Sequence, residues 1–276
     1  MKTENNSDVE AVIKEGPVRL DIESGRIAHI RLNRPDAANG LSVELLRRLY
    51  DVVMTCHGDA RLRVVILSGE GRHFCAGGDV RDFAAKGEQL PDYLRQATSY
   101  LQIVSGALIR LNQPVIASVQ GYAAGGGGLG LVCAADLVIA ADDARFMAGA
   151  TRVGMAPDAG ATVTLQRIVG LRRAMDILLN NPVIDAAEAL DMGLVNRVVP
   201  TTDLDSQTRD WARRIATGAP LALAATKRLV WNGAGLGVEA CLPEESRTVS
   251  ELSGSADSRE GLAAVIEKRD PVFKGR

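Results

Sequence analysis

Val64-Val65-Ile66-Leu67-Ser68-Gly69-Glu70-Gly71-Arg72-His73-Phe74-Cys75-Ala76-Gly77-Gly78-Asp79 decides the fold class. Its first four residues form a continuous, largely β-branched apolar run, the pattern of a strand buried on both faces. The run empties into a glycine-rich loop, residues 69–78. The arrangement returns at Val115-Ile116-Ala117-Ser118-Val119, which leads into Gly121-Tyr122-Ala123-Ala124-Gly125-Gly126-Gly127-Gly128 and then a helix through Leu131 and Val132. Buried strands that end in glycine loops predict an α/β structure with a binding site beyond the carboxyl ends of the strands.

Working outward, residues 18–32 read as two short strands around the turn Glu23-Ser24-Gly25-Arg26, a hairpin. Ser42 reads as the N-cap of a helix carrying Leu45, Leu46, Leu49, Val52 and Val53 at helical spacing. Residues 93–111 form a long helix that stops near Gln113-Pro114. Residues 137–140 and 145–147 read as strands, 173–180 and 186–192 as helices, and 195–199 as a last strand. From Asp203 the pattern is helical nearly to the end. The organisation expected is a frayed polar stretch over residues 1–10, a core of repeated strand-strand-helix units over 11–200, and a helical region over 201–276.

The 276 residues carry 32 Lys and Arg against 34 Asp and Glu, a net charge of −2 without blocks of like charge. That balance leaves no basic footprint for nucleic acid and no polybasic membrane tether, so a small-molecule partner is expected. Cys56, Cys75, Cys133 and Cys241 are scattered without metal or disulfide spacing, and His29, His57 and His73 make no ligand pattern, so no metal is expected. No run approaches the ~20 apolar residues of a membrane span, and the first residues lack a signal-peptide core. A cytoplasmic protein is the expectation.

Glycine loops bring backbone N–H groups close to a bound group, and N–H groups at a following helix N-terminus stabilise an anion without a charged side chain. Neither loop continues as Gly-Lys-Ser/Thr, which disfavours a nucleoside triphosphate, and the spacing GxGxxG is met inside residues 125–130 only trivially. Two such loops in one chain suggest paired oxyanion donors; the alternative is that the glycines serve turns and tight packing.

Four stretches in order carry a family resemblance: Arg34-Pro35-Asp36-Ala37-Ala38-Asn39-Gly40-Leu41, residues 73–79, residues 120–128, and Ala187-Glu188-Ala189-Leu190-Asp191-Met192-Gly193-Leu194-Val195. Together with residues 258–269 they resemble the enoyl-CoA hydratase/isomerase family, the crotonase superfamily, from about Val18 to Phe273. The resemblance implies an α/β spiral of ββα units with a helical C-terminal trimerisation region, acting as a homotrimer or dimer of trimers. It implies an acyl-CoA thioester as substrate, with coenzyme A part of that substrate and no separate cofactor. The shared chemistry is an oxyanion or enolate at the thioester carbonyl, held by two backbone N–H groups. By motif the first donor is Gly78. The second is Gly126 or Gly127, because one residue more than the family pattern lies between Gly121 and Asp136; alignment from the strand gives Gly126, which is preferred.

The family's two hydratase glutamates fall at Leu129 (or Gly130) and at Ala150, so hydration by paired acid and base groups is disfavoured. Asp158, in Gly154-Met155-Ala156-Pro157-Asp158-Ala159-Gly160, lies in the segment that supplies an active-site acid across the family. Its Pro-Asp-x-Gly pattern and the stretch 255–261 resemble the ring-1,2-epoxyphenylacetyl-CoA isomerase branch, in which this Asp shuttles a proton. The same Asp also fits a simple cap of the helix through Leu165 and Ile168. The resemblance thus implies a 3-enoyl to 2-enoyl-CoA isomerase, or an enzyme rearranging a ring-epoxide CoA ester.

For coenzyme A, the matching positions are the cations Arg81 and Lys268, the backbone at Ala38 and Ala76, and Asp79 beside the first loop. Arg81 and Lys268 read equally as solvated surface charges, while Asp79 and Asp136 read better as structural hydrogen-bonding groups. Cys75 and His73 read as packing, and Met147 and Met155 as core or acyl-pocket lining. One rival is a halobenzoyl-CoA dehalogenase with Asp158 as nucleophile, although the positions of that branch's supporting His and Trp hold Gln102 and Ala150. Another is an acyl-CoA-binding paralogue without catalysis.

Overall fold

The apolar runs at residues 64–67 and 115–119 are buried end to end, because the sheet they belong to is covered on both faces. The computed structural model describes residues 9–276. In chain order, β1 (Val9–Ile13), β2 (Val18–Glu23) and β3 (Ile27–Leu32) form an antiparallel meander. Ser24 (φ 50°) and Gly25 (φ 64°) are both left-handed, at the two central positions of the turn that Arg26 N closes by donating to Glu23 O at 3.0 Å. Helix α1 (Val43–Gly58) begins where the Ser42 side chain accepts from Leu45 N at 3.2 Å. Then come β4 (Val64–Gly69), α2 (Val80–Ala85), α3 (Leu90–Arg110), β5 (Val115–Val119), β6 (Tyr122–Ala124) and α4 (Gly125–Cys133). The remainder is β7 (Leu137–Ala141), β8 (Arg145–Met147), α5 (Ala161–Val169), α6 (Leu171–Asn180), β9 (Ile184–Asp185), α7 (Ala186–Asp191) and β10 (Arg197–Val199). Four helices close the chain: α8 (Leu204–Ala216), α9 (Pro220–Gly233), α10 (Val238–Ser253) and α11 (Ala256–Glu267).

The main sheet runs β1-β2-β3-β4-β5-β7-β10, parallel from β3 onward. A small sheet, β6-β8-β9, stands apart from it. Alternate residues of the central strands face opposite layers. Val65, Leu67, Val115, Ala117 and Val119 join the large core beneath α1 and α3, whereas Val64, Ile66, Ile116 and Ile139 pack with Leu204, Trp211 and Ala212 of α8. This two-sided burial is why the strands read as unbroken apolar runs rather than alternating ones.

Two expected boundaries shift. Val9 and Glu10 pair with Glu23 and Ile22 in β1, so strand structure precedes the expected start at residue 11; the rest of that expectation lies outside the described residues. Beyond the expected division at residue 200 the chain is helical, and its first helix, α8, packs as a layer of the core. Its apolar face covers the sheet, and Ser118 and Thr208 hydroxyls meet across that contact at 3.0 Å. The last strand is shorter than expected, beginning at Arg197 rather than Val195, because Leu194 and Val195 turn back to hydrogen-bond Ala189 O.

Two polar clusters fasten helices to the sheet. Glu23, at the hairpin turn, is buried with His29 and receives Arg209 at 2.5 Å and Arg213 at 2.8 Å from α8. Asp136 accepts from Val115 N (2.7 Å), Trp231 Nε1 (2.6 Å) and the buried Lys227 Nζ (2.7 Å), which tethers α9. Lys227 also donates to Leu108 O and Gln113 O. Asp136 is thus structural, as expected. Helices α10 and α11, by contrast, bury little: Val238, Val249, Leu262, Val265 and Ile266 are all largely exposed. Among the described residues no helix is long and apolar enough to cross a membrane.

The His29 hydrogen bond, followed by those from Arg213 and Arg209, pulls the Glu23 carboxyl down to about 2 against the opposing cost of burial. Its folded pKa lies below its unfolded one, so its stabilisation is complete above the ordinary Glu range, near pH 4.3, and is lost as pH falls toward 2. Glu23→Gln is expected to cost about 2–4 kcal/mol at pH 7 by stranding its partners. Urea unfolding should show the gap between wild type and variant narrowing from pH 5 to pH 3.

Candidate active site

The first glycine loop is held from below by buried Asn39. Its Nδ2 donates to His73 O (2.7 Å) and Glu70 O (3.0 Å), while its Oδ1 accepts from Arg34 N (2.8 Å). Gln120 Nε2 donates to Gly69 O (2.6 Å) and Gly71 O (3.0 Å). Loop backbone then pairs with the second loop's entry strand: Cys75 N donates to Tyr122 O at 3.0 Å and Ala124 N to Cys75 O at 2.8 Å. These bonds answer whether the two loops meet. Gly77 (φ 93°) lies so close to Gly125 (φ 70°) that a β-carbon on either would stand 2.8 Å from the other's Cα. Only glycine permits this contact.

Helix α4 starts in the second loop, at Gly125. The N–H groups of Gly125, Gly126 and Gly127 occupy its first turn and lack intrahelical acceptors. Gly78 N–H likewise has no acceptor among the described residues. Gly78, Gly126 and Gly127 all line a cavity of about 410 Å³, so the expected donors converge on one space. Gly127 is buried behind Leu41 and Leu101, whereas Gly126 is only half-buried and lies directly against Asp158, whose backbone N would stand 3.0 Å from a β-carbon at position 126.

Asp158 does not cap α5. Ala159 (φ 55°) and Gly160 (φ 78°) both turn left-handed between them, and the N-cap position falls to Gly160, which offers no side chain. The Asp158 carboxylate faces the cavity instead. Apart from its own backbone N–H it has no hydrogen-bond partner among the described residues, and burial raises its pKa above the ordinary Asp value. The surrounding wall is apolar, with Leu46, Leu94, Leu101, Met147 and Met155 among its residues. Asp158 and Arg152 are the ionisable residues lining the cavity, and Asp158 is its carboxylate. Leu129 is buried in the core, and Ala150 lines the cavity with a methyl group.

The coenzyme A positions divide. Ala76 lines the cavity and its N–H donates to Ala38 O at 2.9 Å, so these two sites adjoin. Asp79 caps α2, accepting from Asp82 N at 3.1 Å, and pairs with Arg34 at 3.0 Å; its carboxylate is already engaged. Arg81 is exposed on α2 and Lys268 is the exposed, left-handed C-cap of α11, and neither lines the cavity. His73 Nδ1 accepts from Tyr122 N, and burial pushes the Cys75 thiol to about 12, which fits their packing roles. Sequence reasoning missed Phe83, whose ring overlaps the place a β-carbon on Gly78 would take, and Tyr93, whose hydroxyl donates to Asp82 on the helix carrying it. The only local signal was the i, i+3 apolar pair Val80 and Phe83.

The Enoyl-CoA hydratase/isomerase family model matches residues 22–276. The chain belongs to the enoyl-CoA hydratase/isomerase family. It is 41 % identical over 259 residues to a "Probable enoyl-CoA hydratase" of Rhodobacter capsulatus, covering 94 % of this chain and 98 % of that one. It is 34 % identical to the 2,3-dehydroadipyl-CoA hydratase of Escherichia coli, covering 91 % and 96 % of the two chains. The crystal structure of enoyl-CoA hydratase from Bacillus anthracis matches at TM-score 0.90 and 34 % identity, over 95 % of this chain and 100 % of the other. The α/β crotonase spiral expected from the motifs is therefore the fold. As an enoyl-CoA hydratase/isomerase, the chain acts on acyl-CoA thioesters.

Gly126→Ala keeps the backbone N–H but drives its methyl into Asp158 Oδ1. It is expected to lower acyl-CoA turnover about 10²-fold by misplacing the carboxylate, with the far-UV circular dichroism unchanged.

Proposed function

We propose that this family member is an enoyl-CoA isomerase that shifts a double bond from position 3 to position 2 of an acyl-CoA, with Asp158 as its single acid/base. The observation that carries the reading is the carboxylate content of the cavity: Asp158 alone, beside Gly126, with Leu129 (or Gly130) and Ala150 at the positions where the resemblance puts the family's hydratase glutamates. Hydration needs groups that position and deprotonate water and then protonate carbon. A 1,3-proton shift needs one group that takes a proton and returns it.

The steps follow from that inventory. Gly78 N–H and Gly126 N–H donate to the thioester oxygen and stabilise negative charge as it develops there. Asp158 removes a proton from C2 of the 3-enoyl chain, and the electron pair delocalises into a dienolate. Asp158 then returns the proton at C4, which leaves the double bond between C2 and C3 and restores the carboxylate. The apolar wall raises the basicity of Asp158 and strengthens both oxyanion hydrogen bonds. Coenzyme A enters as part of the substrate, and the cycle uses no further cofactor.

The Pro157-Asp158-Ala159-Gly160 pattern supports a second reading on the same layout, rearrangement of a ring-epoxide CoA ester. The dehalogenase reading is weaker, because Gln102 is exposed on α3 outside the cavity wall and Ala150 supplies no indole. The unpaired Asp158 argues against a binding-only role. The apolar residues left exposed on α9–α11, among them Val230, Val238, Val265 and Ile266, support self-association as a trimer or dimer of trimers.

Asp158→Asn is expected to lower conversion of 3-hexenoyl-CoA to its conjugated isomer about 10²–10⁴-fold, with binding of saturated hexanoyl-CoA nearly unchanged. Equal turnover by the two proteins would remove Asp158 from the mechanism. Because Asp158 works ionised and burial raises its pKa, kcat/KM should decline on the acid side with an apparent pKa above the ordinary ~3.9 of Asp. A pH–rate profile in which activity persists undiminished to pH 4 would contradict that assignment.

A further inference from the structure

Helix α2 is six residues long and has no buried residue, too short to hold its place by its own hydrogen bonds or by burial. Its position depends on side chains at its two ends. At the N-terminus Asp79 caps it and pairs with Arg34. On its first turn, Asp82 accepts from the Tyr93 hydroxyl of α3 and from Lys86 Nζ at 2.8 Å, and Lys86 lies over the Tyr93 ring at 4.4 Å. The same hydroxyl accepts from Val43 N at 3.1 Å, at the start of α1. Tyr93 therefore ties three helices together through one oxygen. The helix it immobilises presents Phe83 to the cavity, edge-on to the Tyr93 ring with centroids 6.1 Å apart. Phe83 packs against Gly78 so closely that its Cε2 and Cζ occupy the space of a Gly78 side chain.

We propose that Phe83 is a specificity-determining residue, walling the cavity beside Gly78 against acyl groups branched at C2, and that Tyr93 is the positioning residue that holds it there. The inference deepens the acyl-CoA reading of this cavity and rests on Gly78 as a thioester-oxygen donor. A thioester whose oxygen meets Gly78 N–H carries C2 one bond from its carbonyl carbon. A substituent on C2 facing Phe83 enters volume already filled by the ring, and interiors tolerate such overpacking poorly. A straight chain has no such substituent to place there. The preferred substrates are thus acyl-CoA esters unbranched next to the thioester.

The test is calorimetric binding of two unreactive probes, hexanoyl-CoA and 2-methylhexanoyl-CoA, to wild type, Phe83→Ala and Tyr93→Phe. Wild type is expected to prefer the straight ester by about tenfold or more, the scale of one misplaced methyl group. Phe83→Ala should bring the two affinities within about threefold of each other by weakening the exclusion. Tyr93→Phe retains the ring but loses the oxygen, and should reduce the preference in the same direction while the melting temperature stays close to wild type. An undiminished preference in Phe83→Ala overturns the specificity role; an undiminished preference in Tyr93→Phe overturns the positioning role. A wild type without preference overturns both. Because saturated esters cannot isomerise, failure of the wild type to convert 3-hexenoyl-CoA counts against the isomerase reading alone.

Discussion

Everything at the site depends on two stretches of backbone touching where no side chain fits. Gly77 and Gly125 bring the ends of two different strand-to-helix connections into direct contact, and this places Gly78 N–H and the first turn of α4 on one cavity. Neither connection achieves it alone. The strands β4 and β5 are adjacent and parallel, so their loops emerge on the same edge of the sheet, and the Cys75–Tyr122 and Ala124–Cys75 hydrogen bonds draw them together. Asn39 and Gln120 then satisfy loop carbonyls that a sharply turning backbone leaves unpaired. The result is rigid donor geometry set before any substrate arrives, which is what oxyanion stabilisation requires.

Partnering separates the carboxylates that build this protein from the one that faces its cavity. Glu23 meets His29 and two arginines, and Asp136 meets Lys227, Trp231 and a backbone N–H. Asp79 has Arg34 and a helix N-terminus, and Asp257 accepts from the backbone N–H groups of Lys274 and Gly275. Each is compensated for leaving water, and each fastens an element. Asp158 is partly buried among apolar side chains without such a partner among the described residues. An uncompensated carboxylate carries a free-energy penalty in its charged form, and that penalty raises the Asp158 pKa.

Much of this was legible in the chain. The buried runs at residues 64–67 and 115–119, the hairpin turn and the Ser42 cap are local signals, and each forms the element expected. The resemblance also puts Leu129 (or Gly130) and Ala150, none of them a carboxylate, where the family's hydratases carry glutamates. Less legible were α8, whose helical pattern does not indicate which layer it covers, and Lys227, a buried cation in a segment that reads only as helical. Phe83 and Tyr93 gave no motif, because their roles are to each other and to Gly78 across gaps in sequence.

Periodicity and stereochemistry act over a few neighbouring residues, so the alternation of strand, glycine loop and helix, the family, and the chemical groups in each loop are readable from the chain. Long-range packing is what brings the two loops together, sets Gly126 rather than Gly127 against Asp158, and turns Asp158 to the cavity instead of the cap of α5. The reason is physical. An Asp before a helix has the same local options whether it caps or not, and the left-handed turn at Ala159 and Gly160, packed against α4, is what turns its carboxylate away from the helix and toward the cavity.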